Sequence, residues 1–454
     1  MNKTLFSLIL LCFFTAAAGQ GTGPRLQKAY GLFEKDEQLK HAISSLYVID
    51  ARTGQVVFEK NAQVGLAPAS TQKVITSVTA FELLGKDFRY KTRFCYSGNL
   101  VIIPSGDPTF GSWRWENTGE KATLNRIISA IRKNKYLLKD KIFIDAQGWD
   151  RASIPDGWIW QDIGNYYGAG SEEIIWRENQ YDIYLKSGDN EGDPVKIVRT
   201  DPLINGFNLN SVATSGPKGT GDNAYIYFPV DGTTGIVKGT IPVKENNFKI
   251  SGAMPSGKNH FLNTLLDSLK SDNKQLQGWT TLHSDSPVDN MILFHTELSP
   301  SLDSIIYWFN KKSINLYGEA LVKTFAYEKN GMGSTDSGVA IVRKFWKGKG
   351  IDEDELNIYD GSGLSPLNRV TTHAQVEILK YASTKDWFPY FLRSLPEYNG
   401  MTMKSGTISD VKGFCGYQKA KDGKEYIFSF LVNNYSGKTG QLVQKMYKVL
   451  DELK

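Results

Sequence analysis

The chain has 454 residues, 41% hydrophobic and 22% charged, with a formal net charge of +5. That length exceeds a single core of ~100–200 residues and points to two or three domains. The composition excludes a disordered chain, and a small charge excess without any block of like charge gives no reason to expect a nucleic-acid partner.

The chain opens with a basic start at Lys3, an apolar run over residues 5–14 and a small-residue site at Ala16-Ala17-Ala18. This pattern predicts a signal peptide over residues 1–19, hence export to the periplasm or cell envelope. The run is shorter than the ~20 residues of a spanning helix, so no membrane anchor is expected after cleavage. Cys12 lies inside it, without a lipidation-like context. Runs at 46–50 and 55–59, parted by Ala51-Arg52-Thr53-Gly54, predict a hairpin. After Pro68-Ala69-Ser70, the spacing of Val74, Val78 and Phe81 predicts a helix over 71–84, stopped by Gly85. From residue 88 to 285 short strands, including 235–243 and 247–250, alternate with Gly- and Asn-rich turns, and one helix is expected at 124–133. Further on, a strand is expected at 291–298, helices at 302–310 and 316–327, and a strand at 426–432. A last helix carries the stripe Leu442, Met446, Val449 and Leu453. Strands and helices at both ends around a β-rich middle predict one α/β domain, residues 20–87 and 286–454. Residues 88–285 are then a mostly-β insertion of two nested domains. Cys95 and Cys415 sit in aromatic settings that suit buried thiols, while a disulfide between them stays open.

The five histidines, His41, His260, His283, His295 and His373, form no H-E-x-x-H and lie near no cysteine pair, so no metal is expected. G-x-S-x-G and P-loop motifs are absent, and no organic cofactor is implied. A serine enzyme here needs a lysine base. Ser70-Thr71-Gln72-Lys73 supplies one, because residues three apart on a helix share a face and the helix N-terminus favours a serine alkoxide. Burial among cations lets such a lysine lose its proton. Ser215–Lys218 contains Gly216-Pro217, and Ser271–Lys274 opens no long helix, so both read as decoys. Ser313-Ile314-Asn315 falls at the break between two helices, with Glu319 just beyond, whereas Ser271-Asp272-Asn273 has no helix after it. Lys404-Ser405-Gly406-Thr407 leads into a strand and hairpin, where a lysine can face a carboxylate and Gly406 allows close approach of substrate backbone. Lys438-Thr439-Gly440 reads as the joint before the last helix.

S-x-x-K, S-x-N and K-[ST]-G in that order mark β-lactamases and penicillin-binding proteins. With Gly106-Asp107-Pro108-Thr109, Pro155-Asp156-Gly157-Trp158 and Asp360-Gly361-Ser362-Gly363-Leu364-Ser365, the chain resembles the D-alanyl-D-alanine carboxypeptidase/endopeptidase family, the class C low-molecular-mass penicillin-binding proteins. The resemblance implies a transpeptidase/β-lactamase-like α/β (α+β) domain with inserted mostly-β domains. It implies Ser70 as nucleophile, Lys73 as base, Ser313 as proton relay, and Asn315 and Lys404 shaping the site. Backbone N–H groups of Ser70 and Thr407 would form the oxyanion hole, and Gly406 and Thr407 would meet the substrate. Its partners would be peptidoglycan stem peptides and β-lactam antibiotics. Matching Trp158–Asp162 to the family implies that Asp162 meets a diaminopimelate amine with Tyr167 beside it. Pro366 stands where the family has a carboxylate-binding arginine, and Arg369 is the candidate substitute. Two other classes stay open: a β-lactamase, since Glu353-Asp354-Glu355-Leu356-Asn357 mimics a deacylation motif, and a non-catalytic wall-binding protein. The acidic run reads instead as a solvated turn leading through Leu356 and Ile358 into the Asp360 element.

Overall fold

A computed structural model describes residues 21–283 and 290–454. The expected signal peptide, Cys12 and the expected return point at residue 286 lie outside the described residues.

The central sheet is antiparallel and drawn from both ends of the chain. Its order is Glu397–Tyr398, Met401–Ile408, Val411–Lys419, Glu425–Asn433, Ile43–Asp50, Val56–Lys60. Side chains alternate across it, as the pleat requires. Tyr47, Ile49, Ile427 and Leu431 face a helical layer that includes Lys73–Leu84, Leu302–Lys311, Asn315–Asn330 and Thr372–Ser383. Leu46, Val48, Phe428 and Phe430 pack on Leu26 and Tyr30 of Thr22–Phe33 and on Leu442 and Met446 of Thr439–Leu450. Asn315–Asn330 is buried at every position from Asn315 to Ala326, which makes it the centre of the helical layer and a rigid mount for Asn315 and Glu319.

The insertion is mostly β, as expected, and differs from the expectation in the placing of one strand. Its outer unit is a five-stranded sheet, Gly278–Leu282, Lys141–Asp145, Leu100–Ile103, Lys91–Tyr96 and Ile292–Leu298, covered by helices Glu120–Lys133 and Gly257–Leu269. The Lys141–Asp145 strand pairs in parallel with both neighbours, and parallel pairing needs crossovers, which accounts for the helices in this otherwise β-rich unit: the expected one at Glu120–Lys133 and a second at Gly257–Leu269. Ile292–Leu298, expected in the catalytic segment, pairs with Lys91–Tyr96 of the insertion instead. The outgoing and returning chains meet where Ser299 N donates to Tyr90 O (3.1 Å) and Leu302 N to Phe88 O (2.9 Å). We propose that the catalytic unit resumes there, near Ser299 rather than at 286. Nested inside, two small sheets built on Gln180–Lys186 and Thr234–Pro242 share a core of Tyr181, Ile183, Ile226, Val237 and Ile250. Among the described residues no helix is long and apolar enough to cross a membrane. Cys95 and Cys415 are separate buried thiols, one in each sheet.

Candidate active site

Ser70 lies on a 3-10 turn, Ala69–Gln72, that runs directly into the helix Lys73–Leu84. Ala69 is held at φ 46°, a left-handed conformation that costs a residue with a Cβ roughly 1–2 kcal/mol. Two glycines brace this turn. A Cβ on Gly363 would lie 2.0 Å from Ala69 O, and one on Gly406 would lie 2.5 Å from Pro68 O and 2.9 Å from Ser70 N. The strand Met401–Ile408 therefore packs backbone against backbone on the serine turn, at the place where oxyanion donors are needed.

Lys73 is fully buried, and its Nζ has three partners: Ser70 Oγ at 2.9 Å, Asn315 Oδ1 at 2.6 Å and Ser362 O at 2.8 Å. Burial, reinforced by the Lys404 charge, holds this ammonium well below the usual lysine range, against the opposing pull of Asp360 and Glu319. Two of the partners are acceptors only. A neutral Lys73 gives its two protons to them and turns its lone pair to the Ser70 hydroxyl.

On the opposite wall Lys404 donates to Ser313 Oγ (3.0 Å) and Ser405 O (2.9 Å). Burial lowers its pKa to about 7. Ser313 sits at φ 55°, on the break that precedes the helix Asn315–Asn330. Behind Lys73 lies an acidic cradle. Glu319 Oε2 accepts from Gly361 N (3.0 Å), and burial, with Asp360 beside it, raises its pKa to about 8. Asp360 is fully buried and accepts from Gln72 Nε2, Gly363 N, Ser365 N, Asn368 Nδ2 and Trp158 Nε1 at 2.6–3.0 Å.

The insertion roofs the site: Trp158 reaches Asp360, Asn315 Nδ2 donates to Tyr167 O (2.8 Å), and Tyr317 donates to Glu178 Oε1 (2.6 Å). A cleft of about 580 Å³ lies below, lined by Ser70, Ser313, Asn315, Thr407, Asp162 and Tyr167 among others. Burial raises the Asp162 pKa to about 6, against the pull of the neighbouring Tyr167 hydroxyl.

This serine–lysine centre under an inserted roof has counterparts among known proteins. Residues 28–397 match the D-Ala-D-Ala carboxypeptidase 3 (S13) family. The chain belongs to this family. It is 25% identical to a D-alanyl-D-alanine carboxypeptidase of Actinomadura sp. (strain R39), over 90% of this chain and 81% of that one. It is 23% identical to the D-alanyl-D-alanine carboxypeptidase DacB of Haemophilus influenzae, over 86% of this chain and 85% of that one. The fold matches the crystal structure of penicillin binding protein 4 (dacB) from Haemophilus influenzae, with a TM-score of 0.78 and 18% identity, over 94% of this chain and 99% of that one.

Within this S13 chain, nine of the ten expected site residues converge: Ser70, Lys73, Ser313, Asn315, Lys404, Gly406, Thr407, Asp162 and Tyr167. Arg369 does not. Its Nη1 folds back onto Pro366 O (2.6 Å) and Asn368 O (2.8 Å), the side chain is exposed, and it is not among the cleft residues. The cations on the cleft surface are Arg114, which is paired with Glu178, and Lys312, with Lys404 set behind the cleft-lining Ser313; neither Arg114 nor Lys312 carries a motif that would single it out. The deacylation look-alike resolves as well. Glu355 hydrogen-bonds His373 Nδ1 (2.9 Å) and Thr371, while Leu356 pairs with Val370. Ser215 lies in a strand of the nested unit with its hydroxyl on Asp193 O, Ser271 follows a helix in an exposed turn, and Lys438 begins the last helix.

Proposed function

We propose that the chain is a serine-type D-Ala-D-Ala carboxypeptidase and/or D,D-endopeptidase acting on peptidoglycan stem peptides through an acyl-enzyme on Ser70. The observation that supports this most directly is the set of partners on Lys73, which leaves a lone pair for the Ser70 hydroxyl. Ser70 Oγ attacks the carbonyl between the two D-alanines as its proton passes to Lys73. The oxyanion meets the N–H groups of Ser70 and Thr407. The proton held by Lys73 is relayed through the hydroxyl of Ser313, which Lys404 orients at 3.0 Å, to the departing D-alanine amine, and this leaves Lys73 neutral again. The amine leaves, and water then hydrolyses the ester with Lys73 again taking a proton. No step calls on a metal or organic cofactor. β-Lactams enter the same route and stop at the acyl-enzyme, and residues 1–19 direct the chain to the cell envelope.

The deciding experiment is incubation with a labelled penicillin followed by peptide mapping. One label on the Ser70 peptide, released slowly, is the expected outcome. A label on Ser215 or Ser271, or none on folded protein, removes the assignment, and rapid penicillin turnover selects the β-lactamase reading.

Side-chain selectivity gives a second test. Asp162→Ala is expected to erase the preference for an amine-bearing side chain among peptides carrying diaminopimelate, lysine or norleucine before D-Ala-D-Ala. A lost charge-assisted contact of ~1.5–3 kcal/mol is about 10- to 100-fold in kcat/KM. Arg369→Ala is expected to leave the diaminopimelate-to-lysine ratio unchanged, because its guanidinium is turned onto its own backbone. Unaltered discrimination by Asp162→Ala removes Asp162 from the amine site.

A further inference from the structure

Strands Met401–Ile408 and Val411–Lys419 form a hairpin in which Thr407 pairs directly with Lys412. Paired residues on antiparallel strands project on the same face. Lys412 Nζ donates to Thr407 Oγ1 at 2.8 Å. Lys412 is buried, with 8% of its surface exposed, and its ammonium lies 4.7 Å from the Phe414 ring. It forms no ion pair among the described residues, and neither does Lys404, whose Nζ meets only a hydroxyl and a backbone carbonyl. Two buried ammonium groups thus stand on one hairpin without a counter-ion. A buried charge left unpaired is costly, and such a site is relieved by an anion.

Ammonium is a donor only. Thr407 Oγ1 must therefore accept from Lys412, and the hydroxyl proton of Thr407 is left to point elsewhere. Thr407 lines the cleft beside Ser70. We propose that Lys412 is a positioning residue that fixes the Thr407 hydroxyl as a donor into the cleft and, with Lys404, makes this hairpin a two-cation receptor for the C-terminal carboxylate of the peptide. The inference rests on the carboxypeptidase reading and adds to it the residue that sets the direction of the Thr407 hydroxyl. Burial also lowers the Lys412 pKa to about 8, as expected for a cation waiting for a counter-ion. A role limited to packing on Phe414 would not depend on what the peptide carries at its C-terminus.

The test compares an acyl-D-Ala-D-Ala peptide bearing a free carboxylate with the same peptide as its carboxamide. Equilibrium binding is measured in a Ser70→Ala background, so that the result is independent of turnover. KM and kcat are measured with Ser70 present. Lys412→Met is expected to weaken binding of the carboxylate peptide about tenfold and to raise its KM alike, with kcat little changed and the carboxamide unaffected. Lys412→Arg is expected to restore most of the difference. Equal losses on both peptides, no loss on either, or no carboxylate preference in the parent overturns the proposal. Carboxylate-selective binding that depends on Lys412, without acylation of Ser70, would instead preserve the receptor and refute the catalytic reading.

Discussion

Replacing Lys73 by methionine is expected to lower the rate of acylation by penicillin on the order of 10⁴-fold or more, while the chain still folds. Members of a catalytic unit that act together each carry losses of this size when removed. Among the described residues no other base stands at Ser70 Oγ: Lys73 Nζ is its side-chain partner, and Lys404 is bonded to Ser313 instead. Methionine fits the buried channel without introducing a charge, and it forfeits donors to Asn315 Oδ1 and Ser362 O, a loss of stability rather than of chemistry. The pH profile separates these effects. A lysine acts as base only when neutral, and its neutral fraction grows as pH rises through its folded pKa. Because burial and Lys404 hold that pKa well below the usual range, Lys73 is expected to set the acid-side fall of acylation by the parent, at a pH well below the ordinary lysine range. Lys404 has the opposite requirement, since it serves as a cation below about 7 and an incoming carboxylate extends that range upward. Stopped-flow acylation across pH, with thermal unfolding as control, tests both statements. A methionine variant within tenfold of the parent removes Lys73 as the base.

The parts of the site that were legible in the sequence are those held by local order. Ser70 and Lys73 share one turn-to-helix segment, Ser313 and Asn315 share one helix break, and Lys404, Gly406 and Thr407 share one strand. Each segment announces its own geometry, so identity and spacing suffice. The central sheet was legible for a related reason, because short β-rich apolar runs within Ile43–Asp50 and Glu425–Asn433 and a hairpin turn are short-range signals. What escaped the sequence depends on pairing across distance. Ile292–Leu298 reads as a strand that could serve either domain, and nothing in it selects Lys91–Tyr96 as partner. Arg369 had the right charge near the right motif, but a two-residue pairing with Asn357 and its own bonds to Pro366 O and Asn368 O aim it away. Lys412 becomes visible only once the two-residue turn between Ile408 and Val411 fixes the register and sets it across from Thr407.

Asp360→Ala is expected to cost about 3–5 kcal/mol of stability and to reduce acylation of Ser70, although Asp360 touches neither the nucleophile nor the cleft surface. The carboxylate accepts five hydrogen bonds with no exposed surface of its own. Two of the donors have second acceptors, since Gln72 Nε2 also meets Asp360 O and Asn368 Nδ2 also meets Ser365 O. Gly363 N, Ser365 N and Trp158 Nε1 would be left without the acceptor they have now. Each donor so orphaned costs ~1–3 kcal/mol, or ~3–9 kcal/mol for three, and the half-buried Trp158 and relaxation of the loop bring the expected loss to the lower part of that range. The first two belong to the loop whose Ser362 carbonyl holds Lys73 and whose Gly363 braces Ala69, so a shift there misaligns base and nucleophile together. The third ties the insertion to the catalytic unit. Asp360→Asn keeps the shape but turns an amide NH₂ toward donors on one side, since both carboxylate oxygens are occupied, and it is expected to fall between parent and alanine. Chemical denaturation followed by intrinsic tryptophan fluorescence, paired with penicillin acylation rates, checks both consequences. Parent-like values in both assays for Asp360→Ala would mean that the hydrogen-bonded hub does not hold the loop. A loss of stability with unchanged acylation would confine its role to joining the insertion to the catalytic unit.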